Sequence, residues 1–93
     1  MIGLILQENG CSRFSVLDSE EKKYICILPK KLKNKNLRSA KRLKIGMLIE
    51  FEIRYNTDTG TITRINLDKK NLNSLLSEEE IINFIRFEKE YLY

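Results

Sequence analysis

The clearest pattern in the chain lies between residues 47 and 55. Met47, Ile49, Phe51, Ile53 and Tyr55 alternate with Leu48, Glu50, Glu52 and Arg54, so one face is apolar and the other largely charged. Alternation at period two predicts a strand lying on a core with its other side in water. Four further strands are predicted around it. Gly3-Leu4-Ile5-Leu6 is an apolar run ending at the turn signal Glu8-Asn9-Gly10. Residues 13–17 alternate, with Phe14 and Val16 on one face, and residues 18–22 are polar enough for a turn. Residues 24–28 are β-branched, aromatic or aliphatic, and Pro29 stops them. Residues 56–60 have hairpin composition, and residues 61–67, rich in Thr and Ile, return as a fifth strand.

The period then changes. Ser77-Glu78-Glu79-Glu80 has the form of a capping box, and its three glutamates suit the N-terminal end of a helix dipole. Ile81, Phe84, Ile85 and Leu92 share one helical stripe, with Phe87 and Tyr91 beside it and Ile82 widening the face. A helix of about 14 residues is marginal alone in water, so it must dock on the strands or on a partner. Sealing one end of the strand domain is the expected role. Residues 68–76 read as a polar connector. The predicted organisation is therefore a strand domain over 1–67, a connector over 68–76 and an amphipathic helix over 77–93.

Five short strands with one long connection between the third and fourth predict a mainly β fold, a small closed barrel. The five-stranded OB-fold, a Greek-key barrel used for oligonucleotides, fits this order. Leu37, Ala40, Leu43 and Lys44 could make about two helical turns in the long connection, as that fold often does there. An SH3-like barrel is the main competitor.

Charge changes the picture more than composition does. The formal net charge of +4 conceals an uneven distribution. Between residues 30 and 44 stand Lys30, Lys31, Lys33, Lys35, Arg38, Lys41, Arg42 and Lys44, with no acid among them; the rest of the chain is net acidic. Such a segment focuses positive potential and suits a polyanion, with the lysines and arginines tracking phosphates. Arg13 and Arg64, on predicted strands two and five, would extend the groove if they face the same side. Phe14 and Tyr24 could stack on bases, but both fit core-facing positions, and Tyr55 at a strand end is open to either reading.

Composition narrows the function. Leu, Ile, Val and Phe supply 30 of the 93 residues, enough to bury a core. No apolar run is long enough to span a bilayer as a helix, and the N-terminus lacks the features of a signal peptide. The absence of histidine removes the commonest general base and metal ligand. Cys11 and Cys26 are too few for a zinc site and are not spaced as a redox pair, which reads as reduced thiols in a cytosolic or nuclear compartment, and a cytoplasmic protein is expected. With no serine elbow and no phosphate-binding loop, neither catalysis nor a cofactor or metal is expected. Ile occurs 12 times and Val once, a bias that core packing does not require and that an AT-rich genome would produce.

Cys26-Ile27-Leu28-Pro29-Lys30-Lys31-Leu32-Lys33-Asn34-Lys35 resembles the strand-to-loop motif of bacterial translation initiation factor one and its eukaryotic and archaeal counterpart, factor 1A. Lys31, Leu32 and Lys33 match that motif's Lys, apolar and Arg positions, while Lys30 stands where the family has Gly. Ile45-Gly46-Met47 falls where the family has Gly-Asp before its fourth strand, and Thr59-Gly60-Thr61-Ile62-Thr63 resembles its Lys-Gly-Arg-Ile strand start. The resemblance implies an OB-fold that binds RNA, specifically small-subunit ribosomal RNA, by occlusion and positioning. Residues 43–53 are also similar to the Gly-x-x-Val-Glu-Phe-Glu strand of cold-shock domains, which implies a single-stranded nucleic-acid binder. A third reading is a protein-interaction subunit that presents Phe84, Phe87, Tyr91 and Leu92 to a protein partner.

Overall fold

A computed structural model describes residues 1–32, 43–65 and 67–93. The described residues form five strands: β1 (Ile2–Gly10), β2 (Arg13–Leu17), β3 (Lys23–Ile27), β4 (Leu48–Ile53) and β5 (Thr59–Arg64). They close into a barrel of order β1-β2-β3-β5-β4. Neighbours are antiparallel except β3 and β5, which run parallel. β1 bends through two irregularities, between Ile5 and Gln7 and between Glu8 and Gly10. Bulges of this kind let one strand pair with β2 along its length and with β4 near its start, closing the ring.

The alternation in β4 holds only over its middle. Ile49 and Phe51 are fully buried, whereas Ile53 is partly exposed and Tyr55 is 90% exposed. The apolar face runs past the barrel rim into the β4–β5 hairpin. β1 differs because it is buried on both faces, which explains its unbroken apolar run. Ile5 points into the barrel with Phe14, Val16, Tyr24, Cys26, Ile49, Phe51 and Ile62. Ile2 and Leu4 point outward and join Leu17 and the helices.

Phe51 sits at the centre of the interior, with the Tyr24 ring 5.3 Å away and tilted. Two glycines make room for it. A β-carbon on Gly3 would collide with Val16 and come within 2.8 Å of Phe51; one on Gly60 would lie 2.7 Å from the Glu52 carbonyl oxygen and 3.1 Å from Phe51. Cys26 is also in this core, where burial pushes its thiol up to about 12, while the exposed Cys11 is likewise unpaired with another cysteine.

Residues 68–76 are not a plain connector. They hold a short helix, α1 (Lys69–Leu75), capped by Asp68, whose side chain accepts from Asn71 N–H while Asn71 reaches back. The box is harder to read in sequence because Asn replaces the usual Glu or Gln at its third position. The second helix, α2 (Glu78–Leu92), starts at Ser77 with the expected capping box. Hydrogen bonds from Ser77 hold the Glu80 carboxyl below its ordinary range. The expectation that this helix seals an end of the barrel is corrected: α2 lies along the outer wall. Phe84, Phe87 and Leu76 pack on the outward side chains of Ile2, Leu4 and Leu17. Phe87 replaces Ile85 in the buried stripe, and Ile85 is half exposed.

Gly60→Ala should therefore lower stability by about 1–3 kcal/mol, the usual range for overpacking, because the nearest obstacle is backbone. A lower urea midpoint at unchanged m-value is the expected result.

Candidate nucleic-acid interface

The topology decides which cations share a region. β2 is antiparallel to β3, and β5 is parallel to it. The start of β2, the end of β3 and the end of β5 therefore lie at one end of the barrel. Arg13 opens β2, Lys30 and Lys31 follow β3 in a helical turn, and Arg64 closes β5. Leu28 N–H donates to Ser12 O at 2.8 Å, holding the start of the long connection beside the β1–β2 hairpin. Lys44 lies at the other end of that connection, just before Gly46, which turns at φ 92° and donates its N–H to Ile5 O. All five side chains are exposed. Among the described residues the ion pairs are Lys22–Asp58 and Arg86–Glu90, so none of the five is neutralised in that way. Arg64 does have an acid as its lateral neighbour, since it pairs with Glu50 in the β4–β5 register. Lys33, Lys35, Arg38, Lys41 and Arg42, and most of the helical turns expected around Leu37 and Ala40, lie outside the described residues.

The rings do not supply a stacking platform. Phe14 and Tyr24 are both 4% exposed and belong to the barrel interior. Tyr55 is exposed but sits on the β4–β5 hairpin, at the end opposite the cations. The outer surface of β2, β3 and β5 instead carries Arg13, Ser15, Ile25, Ile27, Thr59 and Thr61 in cross-strand register. Asn9 donates to Ser15 Oγ at 2.8 Å and adds an amide to that surface. The alternation that puts Phe14 and Val16 inside puts Ser15 outside, so parity carries this signal once the core is known.

The opposite end is built around a buried acid. Asp18 is 4% exposed in the turn between β2 and β3. Its Oδ1 accepts from the N–H groups of Glu20 and Lys22, both at 2.9 Å, and its Oδ2 accepts from Tyr24 OH at 3.1 Å. These bonds compensate the burial of a carboxylate. Burial, with the Asp18 hydrogen bond and charge adding to it, pushes the Tyr24 phenol up to about 12. Lys22 reaches Asp58 at 3.5 Å, linking this turn to the β4–β5 hairpin. Tyr91 OH donates to Glu21 at 2.8 Å and Asn83 donates to Ser19 O at 3.3 Å, tying α2 to the same turn.

Among the described residues, no three His, Cys, Asp or Glu side chains form a group that could hold a metal ion, and no helix is long and apolar enough to cross a membrane. No protein-family model matches the chain, and no curated protein matches it in sequence. Among solved structures, the fold is similar to the solution structure of translation initiation factor one from the Wolbachia endosymbiont (strain TRS) of Brugia malayi. The match covers 83% of this chain and 86% of that one, at 22% identity and a TM-score of 0.55.

The barrel is an OB-fold. The fold that the resemblance implied is thus present, with Gly46 shortly before β4 and Thr59-Gly60 opening β5. At this identity the likeness shows the fold, and the candidate interface rests on the chain's own charges.

Removing the Tyr24 hydroxyl leaves Asp18 Oδ2 without its phenol donor, so Tyr24→Phe should cost about 1–3 kcal/mol at neutral pH. The folded protein binds the Tyr24 proton more tightly than an unfolded chain with a phenol near 10.0. That contribution is intact below pH 10 and is lost as pH rises from 10 towards 12. The stability gap between wild type and Tyr24→Phe, followed by urea unfolding, should narrow across that window.

Proposed function

We propose that this chain is a small RNA-binding protein that acts on the small ribosomal subunit in the manner of a translation initiation factor. Its role is occupancy and positioning rather than catalysis, and it works in the cytoplasm, where that partner is found. The observation that carries the reading is the gathering of Arg13, Lys30, Lys31, Lys44 and Arg64 at one end of an OB barrel, all exposed and free of ion pairs among the described residues. The basic connection between β3 and β4, with Lys33, Lys35, Arg38, Lys41 and Arg42, adds to that charge.

The chemistry follows from what the surface offers. Lysines and arginines bind phosphates and release counterions, which gives affinity without base reading. An unstructured strand is held largely by aromatic stacking, and the rings a cold-shock domain would use are here in the core. Folded RNA presents phosphates in a fixed array, so a basic barrel end can dock on it without stacking. This favours a structured RNA partner over the cold-shock reading. Ser15 and Thr61 supply hydroxyls to the adjoining wall for contacts to ribose or phosphate.

Two measurements test the proposal. Association with purified small subunits should fall steeply with salt and survive excess unstructured oligonucleotide; loss to the competitor would return the single-strand reading. Changing Lys31, Lys33 and Lys35 together to Gln should reduce the slope of log K against log salt by about 0.7–0.9 for each phosphate contact removed. Changing them to Glu should abolish association with the circular-dichroism spectrum intact, and unchanged binding by that variant would overturn the proposal.

A further inference from the structure

The solvent face of α2 carries an arrangement that neither the fold nor the basic end explains. Phe84 and Phe87 face the barrel. Glu78, Ile82, Ile85 and Lys89 form a solvent-facing stripe at helical spacings of four, three and four, in which Ile85 also borders the cleft between α2 and α1 lined by Leu72, Leu76 and Phe84. Ile82 is 65% exposed and Ile85 is 51% exposed, and both flanking charges are solvent-accessible. Two isoleucines at the middle of a solvent-facing stripe break the usual polar surface of a docked helix.

The order of this stripe, Glu-Ile-Ile-Lys, is complementary to itself in reverse. When two such helices lie antiparallel about a two-fold axis between Ile82 and Ile85, Ile82 of one meets Ile85 of the other. In the same register Glu78 meets Lys89, twice over. A two-fold contact needs this property, a patch that complements its own copy. Neither Glu78 nor Lys89 takes part in an ion pair among the described residues, so both are available to a second chain. Arg86, by contrast, is engaged along its own helix with Glu90 at 3.7 Å. The helix dipoles also oppose in an antiparallel pair, which adds to the match.

We infer that the exposed face of α2 is a docking surface for a second copy of this chain, an antiparallel two-fold contact centred on Ile82 and Ile85. The patch is small, so the dimer forms at high protein concentration. The charge pattern also selects against a parallel pairing, which would set Glu78 on Glu78 and Lys89 on Lys89.

Sedimentation equilibrium over a wide concentration range tests this in the intact chain. The weight-average mass of the wild type should rise toward twice that of the monomer. Ile82→Glu should hold the protein at the monomer mass, with an unchanged circular-dichroism spectrum because the residue is exposed. Glu78→Lys and Lys89→Glu should each weaken association by up to about tenfold, since each alters two exposed pairs, and the two combined should restore it, because the swapped charges again face each other. A wild type that stays monomeric at the highest concentration overturns the inference. So does a dimer indifferent to Ile82→Glu, or a double charge swap that fails to rescue.

Discussion

Phe51 fills the barrel, and it fits because Gly3 on β1 and Gly60 on β5 present no β-carbon to it. Burial of one such ring is worth about 3–5 kcal/mol by the cost of its truncation. β4 therefore pairs with both β1 and β5 around one side chain, and the ring of strands closes. β1 in turn becomes a wall between two cores. Ile5 faces the Phe51 cluster, while Ile2 and Leu4 face α2. A helix that would be marginal alone is held by the outer face of the strand that closes the barrel.

The same closure separates the charges. Because β3 and β5 are parallel, their carboxyl ends and the start of β2 come to one end, and the long connection leaves from there. The opposite end is tied by Asp18, Tyr24 and the Lys22–Asp58 pair, and α2 is fastened to it through Ser19 and Glu21. One end is thus a cross-linked support, and the other presents cations to solvent. Cations borne on the ends of barrel strands suit a partner whose phosphates are themselves fixed in space, since less conformational freedom is then lost on docking.

Much of this was legible from residue patterns. Phe14, Val16, Ile49 and Phe51 declare their faces through period-two alternation, and Ser77-Glu78-Glu79-Glu80 marks the start of α2 to the residue. The misreadings have physical causes. The apolar parity of β4 continues to Tyr55, but burial stops where the barrel ends, and nothing local marks that rim. β1 shows no alternation because both of its faces are covered, so its sequence alone does not reveal that α2 lies on the outer wall. The Asp68 cap uses Asn71 in place of Glu, which hid α1. Of the candidate site, the charges are plain in the sequence; that Arg13 and Arg64 lie at the same barrel end as Lys30 and Lys31 depends on the parallel β3–β5 pairing, a non-local fact.

The central claim is that the cationic end of the barrel with the wall beside it, and not the Asp18 end or α2, meets RNA. Amide shift mapping by NMR, on titration with a folded fragment of small-subunit RNA, tests it most directly. The account predicts perturbations at Arg13, Lys30, Lys31, Lys44 and Arg64, fading with added salt, while Asp18, Glu21, Asp58 and α2 stay unmoved. Perturbations confined to α2 or to the Asp18 end, or no perturbation at low salt, would contradict it.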